Sequence, residues 1–410
     1  MRLSKLFTNT LREAPKDEES ANARLLVRAG YVQKLMAGVY SFLPLGLRVL
    51  NNIENIVRQE MDNAGAQEIL MPALHPIENY EKTGRAGIDV LFHIKLANEK
   101  HLVLGQSHEE VVVPLVQKFI QSYKDLPLAV YQIQTKFRNE LRSKSGLFRG
   151  REFLMKDLYS FHASEKDFDA FYGSMKKAYK KVFKRAGIGN KTFLTYASGG
   201  TFSNISHEFQ TLTDAGEDSI VLCDSCDVAV NEHDIKLFVS CPECGNAWGK
   251  KRRSIEVANI FPLKTRYSDA FGLVVKNESG NNIPVIMGCY GIGLTRLVGT
   301  VAELHCDEKG LRWPEEIAPF DIHFICLDKK ARSKADELYA VLQKNKISVL
   351  YDDREEKGAG EKFADADLLG VPLRVVVSEK TLAKNSVETK KRTNNELDII
   401  SIKKFISHPC

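Results

Sequence analysis

The chain has 410 residues with 43% hydrophobic and 27% charged side chains, which exceeds what one hydrophobic core usually supports, so two or three domains are expected. The formal net charge of +5 is mild, and it permits an RNA partner without requiring one. No apolar run reaches the ~18 residues of a membrane span, and the N-terminal segment lacks the apolar core of a secretory signal, so we predict a cytoplasmic protein with no membrane segment.

The first half of the chain mixes two hydrophobic periodicities. Helical spacing runs from Leu47 to Met61 and from Phe168 to Phe183, whereas Leu102–Leu104 and Ala129–Gln134 read as strands. This mixture predicts an α+β catalytic domain in which helices flank an antiparallel sheet.

The residue pattern changes twice in the second half of the chain. A polar, cysteine-bearing stretch runs from Cys223 to Arg253, and the sheet-like pattern resumes at Glu256. Beyond Trp313-Pro314, strand-like and helical segments alternate, and the clearest of them are Asp321–Leu327, Ala331–Lys344, Ile347–Tyr351 and Leu373–Val377. Strands separated by helices predict a small α/β domain with a parallel-type sheet.

Two stretches set arginines beside aromatic, acidic or glycine residues, as a site for a polyphosphate and a purine requires. Arginine binds phosphate oxygens through two parallel hydrogen bonds and stays charged at any working pH, which makes Arg138, Arg149 and Arg296 candidate phosphate ligands. Phe153 offers a flat apolar face for adenine, and Glu140 can accept a hydrogen bond from its exocyclic amine. Residues two apart on a strand project the same way, so Arg138 and Glu140 are expected to share one face.

These segments resemble motifs 2 and 3 of class II aminoacyl-tRNA synthetases, and the stretch from Gly46 to Pro72 resembles motif 1, which forms the dimer interface in that class. Within the class, the chain is similar to bacterial-type prolyl-tRNA synthetases. The matching segments occur in order over nearly the whole chain and are Leu104–Glu110, Tyr131–Arg138, Arg151–Phe161, Ser206–Gln210 and Met287–Gly293. The resemblance implies a homodimeric ligase that joins proline to tRNA(Pro) through prolyl-adenylate, with ATP and Mg²⁺ as cofactors.

The resemblance also carries residue roles to this chain. It implies that Arg138 and Arg296 are catalytic. The ATP-binding residues that it implies are Arg138, Glu140, Arg149, Phe153, Gln210 and Arg296, and the proline-binding residues are Ser107, Glu109, Arg138, Met155, Asp157, Tyr159, His207 and Phe209. Ser107 departs from the threonine of the family's Thr-x-Glu loop, so the hydroxyl is kept while the packing around it changes.

Other interpretations of these residues stay open in the sequence. Arginines and acids in an Arg-x-Glu arrangement are usually surface ion pairs, Met155 and Phe209 also fit a hydrophobic core, and His207 also fits a buried core histidine. The alternative functions are another synthetase of the same subclass and a catalytically silent RNA-binding paralogue. Intact Arg138 and Arg296 argue against the silent paralogue.

The cysteines form a second constellation. Cys223-x2-Cys226 and Cys241-x2-Cys244 have the paired-knuckle spacing of a four-thiolate zinc site. Four thiolates leave no open position for water, so the spacing predicts a structural Zn²⁺. Reduced thiols of a cytosolic protein, or a relic site that no longer binds metal, would share this spacing. The other cysteines show no pairing pattern and are Cys289, Cys306, Cys326 and Cys410.

Three segments are candidates for contact with RNA. A lysine-rich stripe at helical spacing lies between Lys176 and Arg185, and Lys250–Arg253 follows the cysteine stretch, although most such basic runs are simply solvated. In the last domain, the resemblance implies that Arg354, Glu356 and Phe363 lie near the anticodon, whose unstacked bases proteins read by hydrogen bonds and stacking.

The predicted organisation is a catalytic domain in two parts, residues 1–222 and 255–313, interrupted by the cysteine-bearing insert at 223–254 and followed by an anticodon-binding domain at 314–410. Many bacterial relatives carry an editing domain between motifs 2 and 3. Here the stretch between Glu217 and Glu256 has only 40 residues. Because ordinary domains have at least ~50 residues, we predict that no editing domain is present.

Overall fold

The computed structural model describes residues 1–15, 18, 20–141, 145–200, 202–394 and 396–408. Its helices are α1 (Ala21–Arg28), α2 (Pro44–Asn63), α3 (Ile77–Lys82), α4 (Glu109–Val116), α5 (Glu165–Arg185), α6 (Arg266–Phe271), α7 (Leu294–Leu304), α8 (Arg332–Lys344), α9 (Ala359–Leu369), α10 (Glu379–Leu382) and α11 (Ile402–Ser407). Its strands are β1 (Val32–Met36), β2 (Val39–Phe42), β3 (Gln67–Glu68), β4 (Leu74–Pro76), β5 (His93–Lys95), β6 (His101–Leu104), β7 (Leu128–Phe137), β8 (Glu152–His162), β9 (Thr192–Ser198), β10 (Ile205–Leu212), β11 (Asp218–Cys223), β12 (Val228–Asn231), β13 (Trp248–Lys264), β14 (Val274–Lys276), β15 (Asn282–Pro284), β16 (Ile286–Gly293), β17 (Ile322–Cys326), β18 (Val349–Asp352), β19 (Leu373–Val377), β20 (Ser386–Lys391) and β21 (Asp398–Ser401).

The chain divides into two compact units. The core unit comprises Leu35–Tyr40 and Ile53–Thr300, and the terminal unit comprises Met1–Lys34, Ser41–Asn52 and Val301–Cys410. In the described part of the chain, none of the helices has the length and apolarity needed to cross a membrane.

A mixed sheet organises the core unit. Among the described residues its strand order is β10-β9-β12-β11-β13-β16-β8-β7-β3, and the central neighbours β13, β16, β8 and β7 pair in antiparallel fashion. The predicted antiparallel arrangement is therefore confirmed for the central strands, whereas β12–β9 and β3–β7 are parallel pairs. The helix predicted over Phe168–Phe183 is also confirmed as α5, which begins where the Ser164 side chain accepts the Asp167 N–H and buries an apolar stripe at helical spacing.

The cysteine-bearing insert is part of this sheet. β11 pairs with both β12 and β13, β12 runs parallel to β9, and β10 pairs with both β9 and β13. These pairings close β9, β10, β13, β11 and β12 into a ring of five strands. β13 runs without interruption from Trp248 to Lys264, so one strand belongs to both the insert and the sheet of the core unit.

The terminal unit contains the predicted α/β fold. β17 is parallel to both β18 and β19, as the alternation of strands and helices predicted. The sheet then continues with the antiparallel strands β20 and β21, so it is mixed rather than wholly parallel. The sequence prediction missed these last two strands, which carry many charged and polar residues because part of their surface faces solvent.

Candidate active site

A cavity of 580 Å³ opens in the core unit, a size typical of small-molecule sites. The predicted site residues that line it are Ser107, Glu109, Arg138, Glu140, Phe153, Met155, Asp157, Tyr159 and Arg296. Four of these come from alternate positions of β8, because residues two apart on a strand face the same side. One side of strand β8, which belongs to motif 2, therefore faces the cavity.

One end of the cavity carries excess negative charge. Glu109 and Glu110 are both fully buried at the start of α4, and the buried Arg85 guanidinium lies 2.8 Å from Glu110 and 3.7 Å from Glu109. Ser107 Oγ donates to Glu109 Oε2, while Glu109 Oε1 is buried with no hydrogen-bond partner among the described residues. Two carboxylates facing one guanidinium leave room for one further cation.

Burial and neighbouring charges shift the pKa values of the groups at this end of the cavity. Burial raises the pKa of Glu110, although the neighbouring Arg85 pulls it the other way. Burial and the adjacent carboxylate of Glu109 also raise the pKa of the Cys289 thiol well above its ordinary value. The guanidinium of Arg85 stacks 4.4 Å from the ring centroid of Phe202, which lines the cavity and gives this end an apolar wall.

A buried polar network holds Asp157 beneath the same end. Its carboxylate forms an ion pair with Lys136 at 2.7 Å and accepts hydrogen bonds from Gln132 and Tyr159 at 3.0 and 2.9 Å. Burial alone would raise the pKa of Asp157, but Lys136 and His108 lower it below its ordinary value. The Tyr159 hydroxyl also accepts the backbone N–H of His108, so the network fixes the residue that precedes Glu109 and the start of α4.

Arg138 and Arg296 line the middle of the cavity, and the Glu256 carboxylate lies 4.0 Å from Arg296 Nη1. Burial lowers the pKa of Arg138, as does the nearby positive charge of Arg296, and the Arg138 guanidinium lies 5.2 Å from the ring centroid of Phe153. Arg296 is fixed by two backbone carbonyls, since its Nε donates to Phe148 at 2.7 Å and its Nη1 donates to Glu256 at 2.6 Å. Two arginines held close together against their mutual repulsion form a site suited to an anion.

Arg296 lies in the first turn of α7. A Cβ at Gly293 would lie only 3.3 Å from the Arg296 Cβ, so a larger residue there would press on the arginine. The expected strand placement of Arg138 and Glu140 is wrong, because β7 ends at Phe137 and both residues follow it in a turn. The turn is closed by a hydrogen bond from the Glu140 N–H to the Arg138 carbonyl at 2.8 Å.

Other predicted residues lie outside the lining of the cavity. Arg149 is 40% exposed and pairs with Glu217 at 3.1 Å and with Glu140 at 3.8 Å. Gln210 is buried, and its amide donates to Glu208 and Asp218 at 2.8 and 3.1 Å. Arg149 is therefore tied to the cavity through Glu140, and Gln210 lies directly opposite Glu256, which lines the cavity.

His207 and Phe209 face α5 rather than the cavity. The His207 ring meets Tyr172 Oη at 2.8 Å and Lys176 Nζ at 3.1 Å, and burial lowers its pKa to about 3. Phe209 packs on Tyr179 and Phe183 with ring centroids 5.2 and 5.3 Å away. Alternation along β10 places these two side chains on the helix-covered side of the sheet.

The four predicted metal ligands come together in the core unit. The Sγ atoms of Cys223, Cys226, Cys241 and Cys244 all lie within 4.8 Å of one another, and neighbouring pairs are 3.5 to 3.6 Å apart. A tetrahedral site with Zn–S bonds of about 2.3 Å needs sulfur atoms about 3.8 Å apart, so the cluster fits Zn²⁺. Hydrogen bonds from the backbone N–H groups of Ser225 and Cys226 help to lower the pKa of Cys223 to about 7, which favours its thiolate.

The predicted anticodon residues lie in the terminal unit. Arg354 donates to Asp352 and to Asp365 at 2.7 and 2.9 Å, so its charge is neutralised within the protein. Glu356 is exposed, and Phe363 lies under the guanidinium of Arg374 at 4.5 Å. Cys410 lies outside the described residues, and of the other unpaired cysteines only Cys289 lines the cavity.

Comparison with known proteins gives the family. Residues 92–305 match the tRNA synthetase class II core domain (G, H, P, S and T), and residues 317–408 match an anticodon binding domain. The chain is 38% identical to the proline–tRNA ligase of a Wolbachia species from Drosophila simulans, over all of this chain and 99% of that one. It belongs to the proline–tRNA ligase family of class II synthetases.

Relatives in this family differ in length. The proline–tRNA ligase of Dehalococcoides mccartyi is 34% identical, and its alignment spans 560 positions, against 424 for the Wolbachia relative. The 410 residues of this chain therefore leave a large part of the longer relative unmatched, consistent with the predicted lack of an editing insertion. Prolyl-tRNA synthetases of Giardia lamblia and Cryptosporidium parvum share the fold, with TM-scores of 0.80 and 0.77 at 22% and 19% identity, over 97% and 94% of this chain and 78% and 75% of theirs.

Several cavity residues were missed in the sequence. Arg85, Phe202, Glu256 and Asn259 line the cavity although none belongs to the five segments that match the family. Arg85 stands alone after Thr83-Gly84, and only its contacts with Glu109 and Glu110 identify its place. Glu110 ends the matching segment Leu104–Glu110, but its contact with Arg85 is visible only in the tertiary structure.

Proposed function

We propose that this chain is a proline–tRNA ligase that makes prolyl-adenylate in the cavity of the core unit and passes the prolyl group to tRNA(Pro). A carboxylate oxygen of proline attacks the α-phosphorus of ATP, the bond to the β-phosphate oxygen breaks, and pyrophosphate leaves. A ribose hydroxyl at the 3′ end of the tRNA then attacks the prolyl carbonyl, releasing AMP. Both steps need positioning and charge stabilisation rather than a covalent nucleophile.

The observation that carries this proposal is the charge pattern of the cavity. The buried, unpartnered oxygen of Glu109 is suited to accept from the secondary ammonium of proline. The apolar wall from Phe202 and Met155 suits the ring. Ser107 holds the Glu109 carboxylate, and Arg85 and Asp157 act as positioning residues through Glu110 and Tyr159.

The two cavity arginines suit the reacting phosphate. We assign Arg138 to the α-phosphate and the proline carboxylate, and Arg296 to the outer phosphates. Arg149 reaches the outer phosphates from the rim, while Phe153 stacks on adenine and Glu140 accepts from its amine. Mg²⁺ bound with ATP would supply further neutralisation of phosphate charge, and Glu256 is a cavity carboxylate that fits such a cation.

We also propose a homodimer through the motif 1 surface. Leu70 and Leu74, which follow the short strand β3 in the core unit, are 75% and 53% exposed. Exposed apolar side chains beside a motif that forms a dimer interface in this class suit burial by a second copy. In the terminal unit, Glu356 and Phe363 are the accessible candidates for anticodon contact, with Arg354 as their support. The cytoplasmic location stays a prediction.

We propose that Cys223, Cys226, Cys241 and Cys244 bind one structural Zn²⁺. Purified protein should contain one zinc per chain, and Cys226→Ser should lower the zinc content and the midpoint of thermal unfolding, because a structural metal contributes its binding energy to folding. Cys306→Ser is the matched control, since this half-buried cysteine lies outside the cluster. A zinc content near zero in protein never exposed to chelator would contradict the site.

The proposed function is tested by following the two halves of the reaction separately. Exchange of labelled pyrophosphate into ATP reports adenylate formation, and acid-precipitable labelled proline reports transfer to tRNA. The chain should catalyse pyrophosphate exchange with proline in the absence of tRNA. It should transfer labelled proline when tRNA(Pro) is added. Exchange driven better by another amino acid would point to a different synthetase of this subclass.

A further inference from the structure

The first half of β13 carries four consecutive cations, Lys250, Lys251, Arg252 and Arg253, and all four are exposed. Two of them are already engaged within the protein. Lys251 pairs with Glu232 at 2.5 Å, and the Arg253 guanidinium donates to the carbonyl of Gly216 at 2.7 and 3.2 Å. Among the described residues, no carboxylate or hydrogen-bond partner is found for the side chains of Lys250 and Arg252, which leaves two uncompensated charges on this strand.

A rigid base supports these charges. Arg252 pairs with Ile220 of β11, and Lys251 pairs with Val221. The same strand ring ends at the cysteine cluster, where Cys223 pairs with Trp248. The Asp224 carboxylate lies against Gly249, where an added Cβ would meet it. The basic segment therefore begins at the next residue, Lys250. Cations fixed on a paired strand lose less side-chain and backbone freedom on binding than cations on a mobile loop.

The strand leads directly to the cavity. Glu256, Val257, Ala258, Asn259 and Phe261 of β13 line it. At 3.3 Å per residue, Arg252 and Lys250 lie about 13 and about 20 Å along the strand from Glu256. Arg252 and Glu256 lie four positions apart on β13 with no register shift between them, so they project from the same side of the strand.

We infer that Lys250 and Arg252 bind the phosphate backbone of the tRNA arm whose 3′ end enters the cavity. The inference rests on the proposed function, because the 3′ end must reach the adenylate, and a polyanion entering along β13 passes both side chains. Phosphate contacts of this kind position a nucleic acid without reading its sequence. The cysteine insert then has a role in holding tRNA, separate from the chemistry of adenylate formation.

The double variant Lys250→Thr/Arg252→Thr tests this, because threonine keeps the preference for a strand while removing both charges. At about 0.1 M salt, the KM for tRNA(Pro) should rise about tenfold, while proline-dependent pyrophosphate exchange stays within twofold of wild type. Affinity decreases with salt, and each lost phosphate contact makes the plot of log affinity against log salt less steep by about 0.7 to 0.9. The plot for the double variant should therefore be less steep than that for wild type by about 1.5. The charge-preserving variant Lys250→Arg/Arg252→Lys should behave as wild type.

Lys118→Ala/Lys124→Ala is the matched control, since it removes the same charge from two exposed positions of the core unit that lie outside the segments predicted to contact RNA. An equal loss in both double variants would assign the effect to net charge and overturn the inference. So would an unchanged KM and salt slope in the threonine variant. If wild type lacked proline-dependent exchange, the proposed function itself would fail, so the two failures are distinguishable.

Discussion

Glu109→Gln is expected to lower kcat/KM for proline in pyrophosphate exchange by two to three orders of magnitude while leaving the KM for ATP nearly unchanged. The variant removes the charge that faces the substrate ammonium and leaves Arg85 facing Glu110 alone. Losing one partner of a buried, hydrogen-bonded charge pair costs about 2–5 kcal/mol, and each 1.4 kcal/mol is a factor of ten. Exchange kinetics with proline and ATP varied separately give both constants.

Two further variants sharpen that test. Glu78→Gln makes the same chemical change at an exposed position of α3 and should have no effect. Glu110→Gln should weaken proline binding. Arg85 would then have Glu109 as its one remaining carboxylate partner and would compete with the proline ammonium for it. A Glu109→Gln enzyme with the wild-type KM for proline would place the ammonium elsewhere in the cavity.

Arg296→Ala is expected to reduce exchange at least ten- to hundredfold, mainly in kcat. A charge-assisted contact to phosphate is worth about 1.5–3 kcal/mol, and alanine also leaves the carbonyls of Phe148 and Glu256 without their donor. Arg296→Lys keeps the charge but loses the planar fork, so it should recover only part of the rate. Arg149→Ala should lose less, because Arg149 is partly exposed and solvent screens its charge.

Circular dichroism and size-exclusion chromatography of the same variants separate loss of chemistry from loss of fold. Arg296→Ala should keep the secondary structure and the oligomeric state of the wild type. Unchanged exchange rates in both Arg296→Ala and Arg149→Ala would contradict the assignment of the phosphate site.

The sequence predicted most of the parts of the cavity because they lie on regular elements. Met155, Asp157 and Tyr159 alternate on β8, and Arg296 follows a glycine-rich strand into α7, so local periodicity gives their direction. His207 and Phe209 also alternate on a strand, but both faces of β10 are covered, and periodicity cannot say which of them meets α5.

Long-range pairing was beyond what the sequence could predict. Arg85 reaches Glu109 and Glu110 only through tertiary packing, and an isolated arginine carries no periodic signal. The strand ring depends on β12 lying parallel to β9, a pairing between segments more than 30 residues apart along the chain. The polar composition of the insert indicated an interruption of the catalytic domain, whereas its strand β12 buries Ala229 and Val230 and pairs with β9 and β11.

The central claim is that the cavity activates proline in preference to other amino acids. The most direct measurement is pyrophosphate exchange into ATP by the wild-type chain, compared across all twenty amino acids at equal concentration. We expect the highest kcat/KM for proline, with alanine lower by a few orders of magnitude because it lacks ring carbons worth about 1–3 kcal/mol each, and cysteine less strongly rejected than alanine. Exchange that is absent with proline, or that another amino acid drives faster, would contradict it.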